Sequence, residues 1–175
     1  MKPFISLLRG INVSGQKTVK MEELKKLYES LGFKDVQAYI QSGNVIFKSS
    51  EAGSILTGRI EKKIREYFGF DVVVLLRTKD ELQKLVNNNP FSKKSIDNLY
   101  VTFLSGYPAL SPLEELNKAK AKSEEFFISG REICLFCPDG YGKTKLSNNF
   151  FERKLKVHAT TRNWKTVNKL LELAK

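Results

Sequence analysis

Thr160-Thr161-Arg162-Asn163-Trp164 sets two small hydroxyls, a guanidinium, an amide and the only Trp of the chain side by side near its end. Such a set can hold an anion. A guanidinium forks onto a phosphate or carboxylate, and a neighbouring amide reads a polar edge. The segment runs into an apolar stripe, Trp164, Val167, Leu171 and Ala174 with Leu170 beside it, which reads as a final helix capped by Thr160 or Thr161. Trp164 then packs on that stripe. Arg162 and Asn163 fall in the first turn, where a cation opposes the helix dipole at a cost of roughly a few tenths of a kcal/mol unless it meets an anion. That local penalty is the reason to expect a site.

A second candidate lies near the start. Arg9 ends an apolar run, and the loop after it offers Gly10, Asn12, Ser14, Gly15, Lys17, Thr18 and Lys20. Glycines let backbone N–H groups face outward, and cations beside a helix N-terminus favour an anion. The loop is also longer than the usual connection of a few residues. The candidate ligand-binding set is therefore Arg9, Gly10, Asn12, Lys20, Arg162, Asn163 and Trp164.

Other motifs fail on their chemistry. Cys134 and Cys137 sit three apart in a strand-like run, so they point to opposite faces, and His158 is the only His available to complete a zinc site. They read as buried thiols in a reducing compartment. "GYGKTKLS" (140–147) resembles the end of a phosphate-binding loop, but Cys137 stands where its first Gly belongs. It reads as a basic loop able to touch an anionic partner. No nucleophile can be paired with His158, and Glu114-Glu115 and Glu124-Glu125 read as solvated edges. No metal, cofactor or catalytic residue is assigned.

The net charge is +11. Between Lys143 and Lys169 lie Lys143, Lys145, Arg153, Lys154, Lys156, Arg162, Lys165 and Lys169, against Glu152 alone. Such a surface attracts nucleic acid or phosphorylated small molecules. No stretch approaches the roughly 20 apolar residues that span a bilayer. The first residues carry no signal-peptide cleavage pattern, and the expected location is cytoplasmic, without membrane contact.

The elements that must position these residues follow from apolar spacing. "FISLLR" is a strand buried on both faces, and Met21, Leu24, Leu27, Tyr28 and Leu31 form one helical stripe ending at Gly32. "DVQAYI" and "NVIFKS" flank a Gly-containing turn; Leu56, Ile60, Ile64 and Phe68 mark a second helix, and "DVVVLLR" the next strand. Thr78 and Glu81 make a capping box for a connecting helix. The grammar then repeats: "LYVTFLS", a helix capped at Ser111-Pro112, a hairpin at Gly130-Arg131, a short basic helix at 147–156, a brief strand "VHAT", and the last helix. The order predicts an α+β fold of two consecutive ferredoxin-like βαββαβ units, over 1–78 and 79–175, each an antiparallel sheet with helices on one face.

"LLRGINVSGQKTVKMEELKKL", "YIQSGNVIF" and "TTRNWKTVNKLLEL" resemble the signature segments of an uncharacterised bacterial family catalogued as a domain of unknown function. Ser14 stands where that family commonly has Gly, and Lys165 where it often has Asn. The resemblance implies the same double ferredoxin-like fold and brings no activity, ligand or catalytic residue.

Two functional readings follow. One is a basic anion-binding protein whose partner is nucleic acid or a nucleotide, although "SGNVIFKS" lacks the aromatic spacing of an RNA-recognition strand. The alternative is an enzyme acting on a small phosphorylated or carboxylated metabolite at the junction of the halves.

Overall fold

The computed structural model describes residues 1–175. The first unit runs β1 (Lys2–Leu8), α1 (Met21–Ser30), β2 (Lys34–Tyr39), β3 (Asn44–Ser49), α2 (Gly53–Phe68) and β4 (Val74–Thr78), with an antiparallel sheet in the order β2-β3-β1-β4. Every residue of β1 from Phe4 to Leu8 is buried, as a run apolar at all but Ser6 requires. Phe4, Leu8, Val45, Phe47 and Val74 meet Leu24, Leu27 and Tyr28 of α1 and Leu56, Ile60 and Ile64 of α2 in one core. Inside it the Tyr28 hydroxyl bonds Ser6 Oγ at 2.6 Å, and the Phe33 and Phe47 rings stack at 4.5 Å. Tyr28 would otherwise leave a buried hydroxyl unpaired.

The capping box forms as spelled: Thr78 N–H donates to Glu81 Oε2 (2.8 Å), and Glu81 N–H to Thr78 Oγ1 (3.2 Å). It opens α3 (Lys79–Asn87). The second unit runs β5 (Leu99–Leu104), α4 (Leu113–Ala119), β6 (Glu125–Ser129), β7 (Glu132–Phe136), α5 (Asn148–Leu155) and β8 (Ala159–Asn163), in sheet order β6-β7-β5-β8. Its core joins Leu104, Ile133, Leu135 and Ala159 to Leu116, Phe151 and Leu155. α6 (Trp164–Leu173) follows. Both sheets have the ferredoxin-like order with helices on one face. The compact units are Met1–Lys84 with Lys169–Lys175, and Leu85–Asn168.

The two units pair their first and last strands in matching register. Ile5 pairs with Arg77 and Ser6 with Leu76; in the second unit Val101 pairs with Arg162 and Thr102 with Thr161. Leu8 N–H donates to Gly43 O as Leu104 N–H does to Arg131 O.

Three local expectations change. The "VHAT" strand starts later and runs through Asn163, so Thr160, Thr161 and Arg162 are strand residues rather than a helix start. β-branched Thr pairs favour the pleated sheet, and the partner strand β5 is present to receive them. α4 opens with Pro112 in the N-cap position and no side-chain cap, so Ser111 does not serve. Glu124 is buried, its Oε2 accepting the Ala121 N–H at 3.1 Å, so it is not a solvated edge.

Candidate functional site

In the first unit, Arg9, Gly10, Asn12 and Lys20 share the β1–α1 loop. Its anchor is Asn12, in the left-handed region at φ 54°. Asn12 Nδ2 donates to Val19 O (2.9 Å) and Gln41 O (2.8 Å), while its Oδ1 accepts the Val19 N–H (2.8 Å). Both ends of the amide are spent, so Asn12 staples the loop to the β2–β3 turn. Lys17 Nζ donates to Asp71 O at 2.6 Å and ties the far side down. Lys20 is exposed, occupies the N-cap position of α1 without capping it by its side chain, and has no carboxylate within ion-pair distance. Glu22 and Glu23 in the first turn of α1 already complement its dipole.

Arg162, Asn163 and Trp164 lie in the second unit. Arg162 is in β8 and only 6 % exposed; its Nη1 donates to Thr160 Oγ1 (2.7 Å) and Thr161 O (3.0 Å). The expected conflict with the dipole of the last helix therefore does not arise. Asn163 is the cap, its Oδ1 accepting the Thr166 N–H at 2.8 Å. Trp164 begins α6 and is buried with Val167, Leu170 and Ala174, whereas Leu171 is half-exposed.

The β7–α5 connection holds the "GYGKTKLS" segment. Gly140 takes φ 90°, Tyr141–Lys143 make one 3-10 turn, and Ser147 Oγ caps α5 by accepting the Phe150 N–H at 3.2 Å. Beside it is a hydroxyl network that patterning does not reveal. Thr161 Oγ1 donates to Asn148 Oδ1 at 2.7 Å, so Thr102, 2.7 Å away, donates to Thr161, as does the Tyr141 hydroxyl at 3.1 Å. The only sequence signal for it is the polarity of Thr102 inside an apolar strand.

The basic stretch proves uneven. Lys154 pairs with Glu115, Lys165 with Asp97 (2.6 Å) and Lys169 with Glu172 (2.9 Å), and Arg162 is buried. Glu152 Oε2 accepts the Ala159 N–H (3.0 Å) and lies 3.5 Å from His158 Nδ1. Lys143, Lys145, Arg153 and Lys156 are left exposed with no carboxylate within ion-pair distance; Arg153 rests over the Phe150 ring. The two thiols are inert by environment: both are buried, and burial pushes Cys134 and Cys137 up to about 12. No helix is long and apolar enough to cross a membrane.

Comparison with curated proteins gives no match. Among solved structures, a conserved bacterial protein from Streptococcus pneumoniae, SP0830, is similar over 99 % of both chains, with a TM-score of 0.79 and 25 % identity. That likeness takes in both ferredoxin-like units and the Thr160–Trp164 segment. Residues 1–134 match the family described as "Protein of unknown function (DUF1697)", and with most of its length covered the chain belongs to that family.

Proposed function

We propose that the protein binds anions, with nucleic acid as the first class of partner. The observation that carries this reading is the set Lys143, Lys145, Arg153 and Lys156, exposed and uncompensated along α5 and its approach, in a stretch whose other surface cations are already paired. Ion pairs with protein carboxylates would have been the easy way to neutralise them; four are left for phosphate. In the first unit, Lys20 adds a cation, on the loop that Arg9, Gly10 and Asn12 shape. In the second, Asn163 caps α6 where β8 ends, with Arg162 and Trp164 on either side of it in sequence.

Each lysine or arginine that meets a phosphate releases a counterion, so four contacts to a single strand give a log–log salt slope of about −3. Fluorescence anisotropy with a labelled single-stranded oligonucleotide from low to moderate salt measures it. The comparison variant carries Lys143→Gln, Lys145→Gln, Arg153→Gln and Lys156→Asn. Asparagine suits the left-handed backbone of Lys156, at φ 57°. The variant should keep its fold and lose most of the slope. Binding that ignores salt, or a variant that binds as the parent does, would defeat the reading.

A further inference from the structure

The first unit carries a groove of about 250 Å³ on the sheet face turned away from α1 and α2. Pro3 of β1 and Ile46 of β3 form its apolar floor, Leu173 and Lys175 at the end of α6 close one side, and Asp35 and Lys48 the other. A bulge in β2 shapes it. Lys34 pairs with Lys48 and Gln37 with Ile46, so β2 advances three residues while β3 steps two. The extra residue is Asp35, at φ 51°, a conformation that Asp tolerates better than most residues.

The bulge has an electrostatic result. Cross-strand register sets Lys34 directly opposite Lys48, with Cβ atoms about 5 Å apart, and like charges so placed destabilise a sheet unless offset. Asp35 Oδ2 reaches Lys48 Nζ at 2.8 Å. Lys34 has no carboxylate within ion-pair distance, so of the two facing lysines beside the apolar floor only Lys48 is paired. We propose that this groove binds a small organic anion, a carboxylate or phosphate carried on a compact apolar body such as one aromatic ring. The ring lies on Pro3, Ile46 and Leu173, and the anionic group sits at Lys48, which lines the groove, with Lys34 opposite it across the strand pair adding positive charge. The volume falls below the roughly 300–1,000 Å³ of drug-sized sites, which selects a ligand of that size. This site goes beyond nucleic-acid binding along α5 and uses none of its residues.

The test is an amide chemical-shift titration of the full chain with phenylacetate, phenyl phosphate, inorganic phosphate and neutral benzyl alcohol. Both aromatic anions should shift residues 34–37 and 46–48 saturably, at least about tenfold more tightly than benzyl alcohol. Lys48→Met keeps the apolar stem and should weaken binding. Asp35→Asn keeps the bulge, removes the competing carboxylate and should tighten binding about three- to tenfold, the effect of one unit charge a few Å away in a wet site. A merely structural role for Asp35 cannot produce that gain. No gain in Asp35→Asn, equal binding of benzyl alcohol, or the same shifts from inorganic phosphate alone would each overturn the proposal.

Discussion

Replacing Gly43 with alanine adds a methyl carbon 2.5 Å from Ile11 Cδ1, 2.9 Å from Ile11 Cγ1 and 3.0 Å from Leu8 Cβ. Neither neighbour can step aside freely: Ile11 and Leu8 are both buried, and the Leu8 N–H is bonded to Gly43 O at 2.9 Å. The backbone at Gly43 has φ 85°, where an L side chain costs about 1–2 kcal/mol. Overpacking against a fixed neighbour adds about 1–3 kcal/mol, for an expected loss of about 2–5 kcal/mol. Urea unfolding followed by far-ultraviolet circular dichroism reads it as a lower midpoint. The companion change Ile11→Val removes the Cδ1 that the new methyl meets. Alone it should cost about 1 kcal/mol; in the Gly43→Ala background it should cost less or restore stability. A loss under about 1 kcal/mol together with purely additive single changes would refute the steric account.

Asn12→Ala removes the side-chain hydrogen bonds to Val19 and Gln41 and should cost about 2–3 kcal/mol, at roughly 1 kcal/mol for each of the shorter ones, with faster amide exchange over residues 10–19 and the sheet still protected. Asn163→Ala deletes the cap of α6 and should lower stability by about 1 kcal/mol in the same unfolding assay. Neither thiol should react with dithionitrobenzoate at mildly alkaline pH until the chain is unfolded. Because the folded thiols hold their protons up to about 12 while unfolded ones release them at lower pH, the stability they contribute should be intact near neutrality and decline as pH rises toward 12.

Apolar spacing made the element order legible because each strand and helix advertises its buried face locally: Leu56, Ile60 and Ile64 recur one turn apart, and β1 is apolar from Phe4 to Leu8 except at Ser6. The site was harder to read because its chemistry depends on partners far along the chain. Asn12 looked like a ligand residue, yet its amide is consumed by Val19 and by Gln41, 29 positions away. Lys154 looked free until Glu115 met it from 39 positions earlier. The helix-start placement of Arg162 fails for a local reason: Thr-Thr-Arg-Asn serves equally as a strand end or a helix start. Only the register with Val101 of β5 decides for the strand, which shifts the cap to Asn163.

The hydrogen-bond correspondence between the units explains why no residue repeat shows in the sequence. What recurs is a backbone group and the side chain that satisfies it. Glu61 of α2 accepts the N–H of Val74 at the head of β4 (2.9 Å), and Glu152 of α5 accepts that of Ala159 at the head of β8 (3.0 Å). Thr78 and Asn163 cap the helices that follow, by different chemistry. The first N–H of an edge strand entering the sheet needs an acceptor, and a glutamate on the preceding helix supplies it in both units. Glu61→Ala and Glu152→Ala should therefore each cost about 1–3 kcal/mol, the loss of an acceptor for a partly buried donor. Glu61→Gln and Glu152→Gln keep an acceptor oxygen and should cost well under half as much. If removing one glutamate is neutral while the other destabilises, the two contacts are not equivalent, and the repeat is one of topology alone.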